Sequence, residues 1–454
     1  MPVRPGPSVS QGLHLPARQW VGPEVFCVIG DLDVGGTERH LAQVLPELVA
    51  RGVRPVVYTL THRGVLAPVL ESAGVQVIAP PAADRIRLLP RWLRAGVILP
   101  LTTLCLAYQL VRRRPSVAHF YLPAAYLLGG FCSLAAGVPV RVMSRRSLNR
   151  YQARHRVLAG LERWLHRRMT AVLGNSQAVV RDLLTEGVSP ERVGLLHNGI
   201  DLRPFAGPAR RDSLRAQFGV SEETLLIICV ANLIPYKGHR DLFQALAGIR
   251  ASLGVDWRLL CVGEGGEYRH VLEAEAKRLG IEAHVHFLGS RSDVPALLMA
   301  SDVGVLASHE EGFSNSILEG MAAGLPMVVT AVGGNGEAVE DGETGRVVPP
   351  QDLHALGLAL AELAVDPELR KRFGSAGRAR VAQRYSLEVC VARYAGLYEG
   401  LLTQPATPVT SLLPQPEASE AVSEPGLRLG SGTGREPPFP GQSVPASVRV
   451  AGSE

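Results

Sequence analysis

Two glutamates eight residues apart, Glu311 and Glu319, stand in the segment HEEGFSNSILEGMAAGLPMVVTAVGGNGE (309–337). An apolar run, DVGVLAS, precedes them, so Glu311 falls in the loop after a strand and Glu319 in the following helix. Gly312 allows a tight turn, and Ser314 and Asn315 lie near the helix start. The free backbone N–H groups and dipole of a helix N-terminus attract an anion, and ionised carboxylates beside it accept hydrogen bonds from hydroxyl groups. Phosphate and sugar chemistry side by side suggest a nucleotide sugar. An ordinary helix N-cap with a solvated Glu319 is the plainer alternative.

A second segment, VANLIPYKGHRDL (230–242), leaves the carboxyl end of a strand and carries Lys237 and Gly238 to the mouth of a helix, where an ammonium can meet a diphosphate. Lys237, Lys277 and Lys371 are the only lysines among 47 cationic residues, so a lysine here is compositionally unusual, although a solvated loop would look the same. A third segment, GDLDVGGTERH (30–40), is a glycine turn between the first strand and the first helix. Gly35 and Gly36 there let backbone approach a ligand closely. The turn is not G-x-G-x-x-G, and no acid closes the next strand, VRPVVYTL, which disfavours a nicotinamide dinucleotide. A simple tight turn fits equally well.

These loops need a frame. VFCVIG (25–30) is a short apolar run, followed by a helix with Leu41, Val44, Leu45, Leu48 and Val49 on one stripe, which Pro46 is expected to kink. A second series, with LLIICVA (225–231), RLLCVG (258–263), DVGVLAS and PMVVTA as strands, alternates with amphipathic helices. Such alternation predicts parallel sheets covered on both faces. The predicted class is α/β, with a loose leader over 1–22, a doubly wound domain over 23–202, a polar linker over 203–222 and a second doubly wound domain over 223–384. A terminal helix over 385–402 then packs back across the domains, and a tail over 403–454 has nine prolines and one aromatic, too few apolar groups to offset chain entropy. Ligands of such sheets bind beyond the carboxyl ends of the strands, here in a cleft between the two domains.

The 454 residues carry a net charge of +5, unevenly placed. From Arg85 to Arg168 there are sixteen arginines and one acid, Glu162, so that stretch carries +15 and the rest −10. The six cysteines are scattered singly, which points to a reducing compartment without structural zinc. The N-terminus lacks the apolar core of a signal peptide. Residues 93–111 form an apolar run interrupted by Arg94, Pro100 and Gln109; the run leads into the next strand of the same domain, so it reads as a domain helix, partly buried or touching lipid on one side. Arg85, Arg87, Arg91 and Arg94 around Trp92 resemble an interfacial basic-aromatic segment. No nucleic-acid motif accompanies the positive charge.

In order and content these segments resemble the retaining nucleotide-sugar glycosyltransferases of family four, which have the GT-B fold of two Rossmann-like domains facing a central cleft. The resemblance covers roughly 24–402. It rests on GGTE, NSQAVVRDL (175–183), HNGID (197–201), KGH (237–239), the E-x7-E element EGFSNSILE (311–319) and DGETGRVVPPQD (341–352). It implies an acceptor-binding N-terminal domain and a donor-binding C-terminal domain. Lys237 would bind the donor diphosphate, Glu319 the ribose hydroxyls, and Glu311 the donor sugar near the reacting carbon. Gly35 and Gly36 would lie beside the diphosphate, and the backbone of Phe313, Ser314, Asn315 and Ser316 would complete the phosphate cradle. No bound metal or other cofactor is expected, because lysine, helix dipole and backbone N–H groups supply the positive potential.

Two positions depart from the family pattern. Asn232 stands in Ala231-Asn232-Leu233 where the family often has an arginine that joins the lysine on the diphosphate, and Arg145 in SRRS is where the family's N-domain histidine would fall. Arg145 could restore positive charge across the cleft or read an acceptor phosphate, but cannot act as a neutral-imidazole base. His119, at a strand end, could line the acceptor side or be a packed histidine.

The resulting expectation is an enzyme of the hexosyltransferase type that moves a sugar, with retention, from a UDP- rather than GDP-linked donor to a glycan or lipid-linked glycan in cell-surface polysaccharide synthesis. It would be cytoplasmic, peripheral at an anionic inner membrane face, and would bind no nucleic acid. The rival readings are a sugar-nucleotide epimerase or α-glucan phosphorylase on the same fold, and a non-catalytic nucleotide-sugar-binding scaffold.

Overall fold

In the computed structural model, residues 22–81, 91–148, 155–207, 211–250 and 253–413 are described, apart from the side chains of 91–97. Strand β1 (Glu24–Ile29) is buried along its whole length. Its alternate side chains enter two different cores, Val25, Cys27 and Ile29 on one face and Phe26 and Val28 on the other. A strand covered on both sides therefore reads as a continuous apolar run rather than an alternating one.

Six further strands join β1 in parallel: β2 (Arg54–Thr59), β3 (Gln76–Ile78), β4 (Val117–Tyr121), β5 (Val140–Arg145), β6 (Ala171–Gly174) and β7 (Val193–Leu195), in the order β3-β2-β1-β4-β5-β6-β7. The second sheet contains β8 (Leu225–Val230), β9 (Trp257–Val262), β10 (Val285–Gly289), β11 (Val303–Leu306), β12 (Met327–Thr330) and β13 (Gly345–Val348), in the order β10-β9-β8-β11-β12-β13. Its pairings are also parallel. These are the two doubly wound units expected of the GT-B fold. The order reverses beside β1 in one sheet and beside β8 in the other, so the loops after β1 and β4, and after β8 and β11, diverge around a crevice.

The chain returns to its first half at the end. In helix Leu387–Thr403, Val391, Tyr394, Leu397 and Tyr398 share one core with β1 and helix Gly36–Ala50. The crossing is a pair of backbone hydrogen bonds, Ile200 N to Tyr385 O (2.9 Å) and Leu387 N to Ile200 O (2.8 Å). Gly199 sits so close to Cys390 Cβ that a Cβ of its own would overlap it.

Helix Gly36–Ala50 carries Pro46 within its length and buries Leu41, Val44, Leu45 and Leu48. Two expectations need correction. The linker is not open throughout: Arg211–Gln217 is a helix whose Arg215 is buried, with hydrogen bonds to Asp302 Oδ2 (3.0 Å) and Ser221 O (2.6 Å). A polar composition hid this because the buried group is itself a cation. The tail is ordered at its start. The terminal helix reaches Thr403, and a short helix, Val409–Leu412, packs on β7 with Val409 N donating to Glu191 O (2.8 Å). Most of the leader and residues 414–454 lie outside the described residues.

The apolar run 93–111 lies within helix Arg91–Arg113, which packs on helix Pro123–Ala135 and buries Thr102, Leu106 and Leu110. Tyr58 Oη donates to Thr102 O (3.0 Å). Among the described residues no helix is long and apolar enough to cross a membrane. Arg85 and Arg87, and the side chains of Arg91, Trp92 and Arg94, lie outside the described residues.

Candidate functional site

The loops after β8 and β11 meet at the switch point of the second sheet. Beyond β8 the chain makes a 3-10 turn, Pro235–Lys237, and then Gly238 in the left-handed region (φ +71°). Gly238 lies against Ala307 O, leaving no space for a Cβ, so both its conformation and its packing demand glycine. This places Lys237 Nζ 2.6 Å from Glu311 Oε1, the same oxygen that accepts from Ser308 Oγ at 2.8 Å. His309 braces the two loops: its amide donates to Tyr236 O (2.7 Å), and its ring Nε2 lies 2.7 Å from Asp241 Oδ2.

Helix Asn315–Ala322 starts one turn beyond Glu311. Its N-cap, Ser314, makes no side-chain capping bond; the hydroxyl instead lies 3.0 Å from Ser316 Oγ. The first-turn amides are therefore free of a side-chain cap, as an anion cradle requires. On the same helix the Glu319 carboxyl is pushed up to about 7 by burial, with Arg39 of helix Gly36–Ala50 pulling the other way. The pull of Arg39 brings the first half of the chain to bear on this carboxyl.

The glycine turn after β1 lies at the switch point of the first sheet. A Cβ on Gly35 would overlap the Glu38 carboxylate, whereas one on Gly36 would meet nothing, so Gly36 leaves backbone open to a ligand. Leu122, directly after β4 at the same switch point, is held at φ +71° and ψ 155°, a strained conformation for a non-glycine residue and of a kind that clusters at functional sites. Asn232 turns its side chain to the loop after β9, with Oδ1 accepting from Glu264 N at 3.3 Å.

Other sequence-derived candidates are placed differently. Arg145 is buried rather than turned to the acceptor side; its guanidinium pairs with Glu186 at 2.5 and 2.8 Å and lies 3.5 Å from Glu162. His119 does not line the cleft either. It is fully buried, with Nδ1 2.8 Å from Tyr398 Oη and Nε2 2.7 Å from Ser144 Oγ, and desolvation, aided by Arg146, lowers its pKa to about 3. The Phe313 ring is also inward, against His197 and Tyr385 at centroid separations of 4.8 and 5.3 Å, so only its backbone can serve a ligand.

Three residues without an assigned role in the sequence emerge at the contact between the halves. Arg146 donates to Asn198 Oδ1 at 2.6 Å, and its charge adds to the burial that lowers the pKa of the His40 and His119 rings. Asn198 Nδ2 donates to Phe313 O (3.0 Å) and Asn315 Oδ1 (2.7 Å). Glu337 accepts from Gln177 N (2.9 Å) and Ala178 N (3.3 Å), the first amides of helix Gln177–Thr185, and lies 3.2 Å from His197 Nε2. NSQ and HNGID contain polar residues at this contact, Asn198 among them, but their partners on the other half lie far away in the chain.

Two clusters offer metal-ligand atoms, Asp31 with Asp33 and His62, and Glu162 with His166 and Glu186. In the first His62 Nε2 lies 2.8 Å from Asp33 Oδ2, and in the second the Arg145 guanidinium contacts Glu162 and Glu186.

Two doubly wound parallel sheets, with Lys237, Glu311 and an uncapped helix start brought together at the switch point of the second, define a protein of the GT-B class. Residues 34–203 match the model for glycosyltransferase family 4, and residues 210–380 the model for glycosyl transferases group 1. The chain belongs to the group 1 glycosyltransferases. N-acetyl-alpha-D-glucosaminyl L-malate synthase of Bacillus anthracis is 33% identical over 231 residues, 50% of this chain and 59% of that protein. A GDP-mannose-dependent alpha-(1-6)-phosphatidylinositol monomannoside mannosyltransferase of Mycolicibacterium smegmatis is 32% identical over 212 residues, 44% of this chain and 55% of that protein. The chain thus spans just over half the length of these curated relatives. The crystal structure of Anabaena Alr3699/HepE in complex with UDP superposes with a TM-score of 0.72 at 23% identity, over 84% of this chain and all of that one, a likeness of fold.

The raised Glu319 pKa has a consequence for stability. The folded chain keeps this proton up to about pH 7, while the unfolded chain releases it near the ordinary 4.5. The associated stabilisation is complete below 4.5 and is lost as pH rises through 7. Denaturant titration of the ligand-free protein should show wild type losing stability relative to Glu319→Gln across that window. A pH-independent difference would contradict the assignment.

Proposed function

We propose that the protein transfers a sugar, with retention, from a nucleotide diphosphate donor bound on the C-terminal half to a hydroxyl of a glycan or lipid-linked glycan on the N-terminal half. The Lys237–Glu311 pair between the two switch-point loops carries this reading. A donor diphosphate competes with Glu311 for the ammonium. As Lys237 turns to the phosphates, Glu311, still held by Ser308, is free to accept hydrogen bonds from the donor sugar. The amides of Ser314 to Ser316 receive the phosphate oxygens, and Glu319 receives the ribose hydroxyls.

The chemistry that follows is a front-side displacement. The bond from the anomeric carbon to the diphosphate oxygen breaks while the acceptor oxygen approaches the same face, and the departing diphosphate takes the acceptor proton. Lys237 and the helix N-terminus stabilise charge growing on the leaving group, the usual source of the largest rate effect. Positive potential from Lys237, helix dipole and backbone N–H groups makes a bound metal unnecessary in this scheme. UDP, named for the Anabaena relative, is the preferred nucleotide over the GDP named for the mycobacterial one.

A glycan acceptor carried on a lipid suits the surface of the first half. Leu104, Tyr108, Phe131, Leu161 and Trp164 are exposed apolar groups on three consecutively packed helices, Arg91–Arg113, Pro123–Ala135 and Arg156–His166. Phe131 and Trp164 stack at 5.4 Å, and the Arg168 guanidinium lies 3.4 Å over the indole. Aromatic groups among arginines suit an anionic bilayer surface, and the arginine-rich stretch supports a peripheral position at the inner membrane face.

Nucleotide release from a panel of UDP- and GDP-sugars, with and without membrane lipid extract, tests the reaction. Acceptor-dependent release from a UDP-sugar is expected. Conversion of a free UDP-sugar without acceptor would favour an epimerase, and donor binding without release would favour a scaffold. For the surface, wild type should float with anionic vesicles at low salt and detach as salt rises, and Trp164→Ser should detach at lower salt. Failure of wild type to bind at low salt would remove the membrane from the account.

A further inference from the structure

Resting on the donor placement just proposed, we infer that Asn198 is a positioning residue for the donor loop, set from the opposite half of the molecule by Arg146. A carboxamide offers two N–H donors and an acceptor oxygen, and this one uses both ends. Its oxygen takes the Arg146 guanidinium at 2.6 Å, and its nitrogen donates to Phe313 O at 3.0 Å and Asn315 Oδ1 at 2.7 Å. The side chain is 4% exposed, so water cannot replace these partners. An aspartate would keep the shape and the bond to Arg146 but lose both donors.

The bonded segment is the one that matters for a phosphate. Phe313 and Asn315 bracket Ser314, two to four residues beyond Glu311, and the unbonded first-turn amides lie among them. The main chain is held at the same place. Asn175 Nδ2 donates to Arg146 O at 3.3 Å, and Gly312 abuts that carbonyl so closely that no Cβ would fit. The path Arg146–Asn198–Phe313/Asn315 therefore joins the loop after β5, the hinge segment and the donor loop through direct contacts. Positioning at this scale controls transfer, because displacements of about 1 Å remove much of the rate.

The Arg146 guanidinium also acts on Glu38, in the first turn of helix Gly36–Ala50, opposing the burial and the Asp31 charge that raise its pKa. A ligand on the acceptor half that draws on Arg146 thus draws on the partner of Asn198 Oδ1, and the donor loop is sensitive to acceptor-side occupancy.

Hydrogen exchange over residues 312–317 of the ligand-free full chain tests this directly, together with the donor KM. In Asn198→Asp, exchange over 312–317 should quicken by about tenfold, the scale of one lost buried hydrogen bond, while β8 and β11 stay as in wild type. The donor KM should rise by a similar factor, more than kcat falls. Arg146→Met should give a smaller effect of the same kind, and Arg146→Lys should partly restore it; this pair provides the test if Asn198→Asp fails to fold. Wild-type exchange over 312–317 in a folded Asn198→Asp, or in Arg146→Met, would overturn the inference. The exchange measurement needs no donor. Faster exchange combined with no nucleotide release by wild type would therefore discard the transfer reading and leave the positioning role intact.

Discussion

The main chain of Gly312 touches the main chain of Arg146 with no room for a Cβ between them, and the cleft depends on that contact. A close approach of two backbones from different sheets fixes the donor loop without using any side chain that a ligand would need. Gly334 leaves no room for a Cβ between the Phe313 ring and the Ser176 side chain, and Glu337 then seals the N-terminus of helix Gln177–Thr185. Removing side chains at the contact and supplying capping groups from the opposite half makes two separately folded sheets into one site.

Charge is arranged on the same principle. The second half contributes Lys237 and Glu311 as a pair, so neither charge is left uncompensated in a site partly closed to water. Glu319 makes no ion pair among the described residues, and burial raises its pKa to about 7 against the pull of the Arg39 charge. The first half buries its surplus: Arg145 is neutralised inside by Glu162 and Glu186, while Arg146, one residue on, turns to the interface. β5 ends at Arg145, so Arg145 packs inside the first half while Arg146, the first residue of the following loop, is released to face the other half.

That separation also marks where the sequence stops being readable. Both sheets, the crossover pattern and the return helix follow from apolar runs and stripes, because a strand buried on two faces has little choice of composition. The E-x7-E element and Lys237 stood out as charged residues in loops at strand ends, and Gly238 as the glycine that the turn itself demands. Arg145 was chosen over Arg146 because motif position leaves the end of the strand ambiguous by one residue, and here that residue separates a buried strand end from the loop that reaches the other half. His119 resembled a cleft residue because its partners, Tyr398 and Ser144, are distant in the chain. Asn198 and Glu337 were hidden for the same reason: their function is a contact with the other half, and no local pattern encodes it.

The central claim is that a donor diphosphate binds at Lys237 and the uncapped start of helix Asn315–Ala322. Calorimetric titration of UDP into wild type and Lys237→Ala tests it most directly. Wild type should bind at one site per chain, and Lys237→Ala should bind at least about tenfold more weakly, as expected for loss of a charge-assisted contact. Equal affinity in the two proteins would contradict the account.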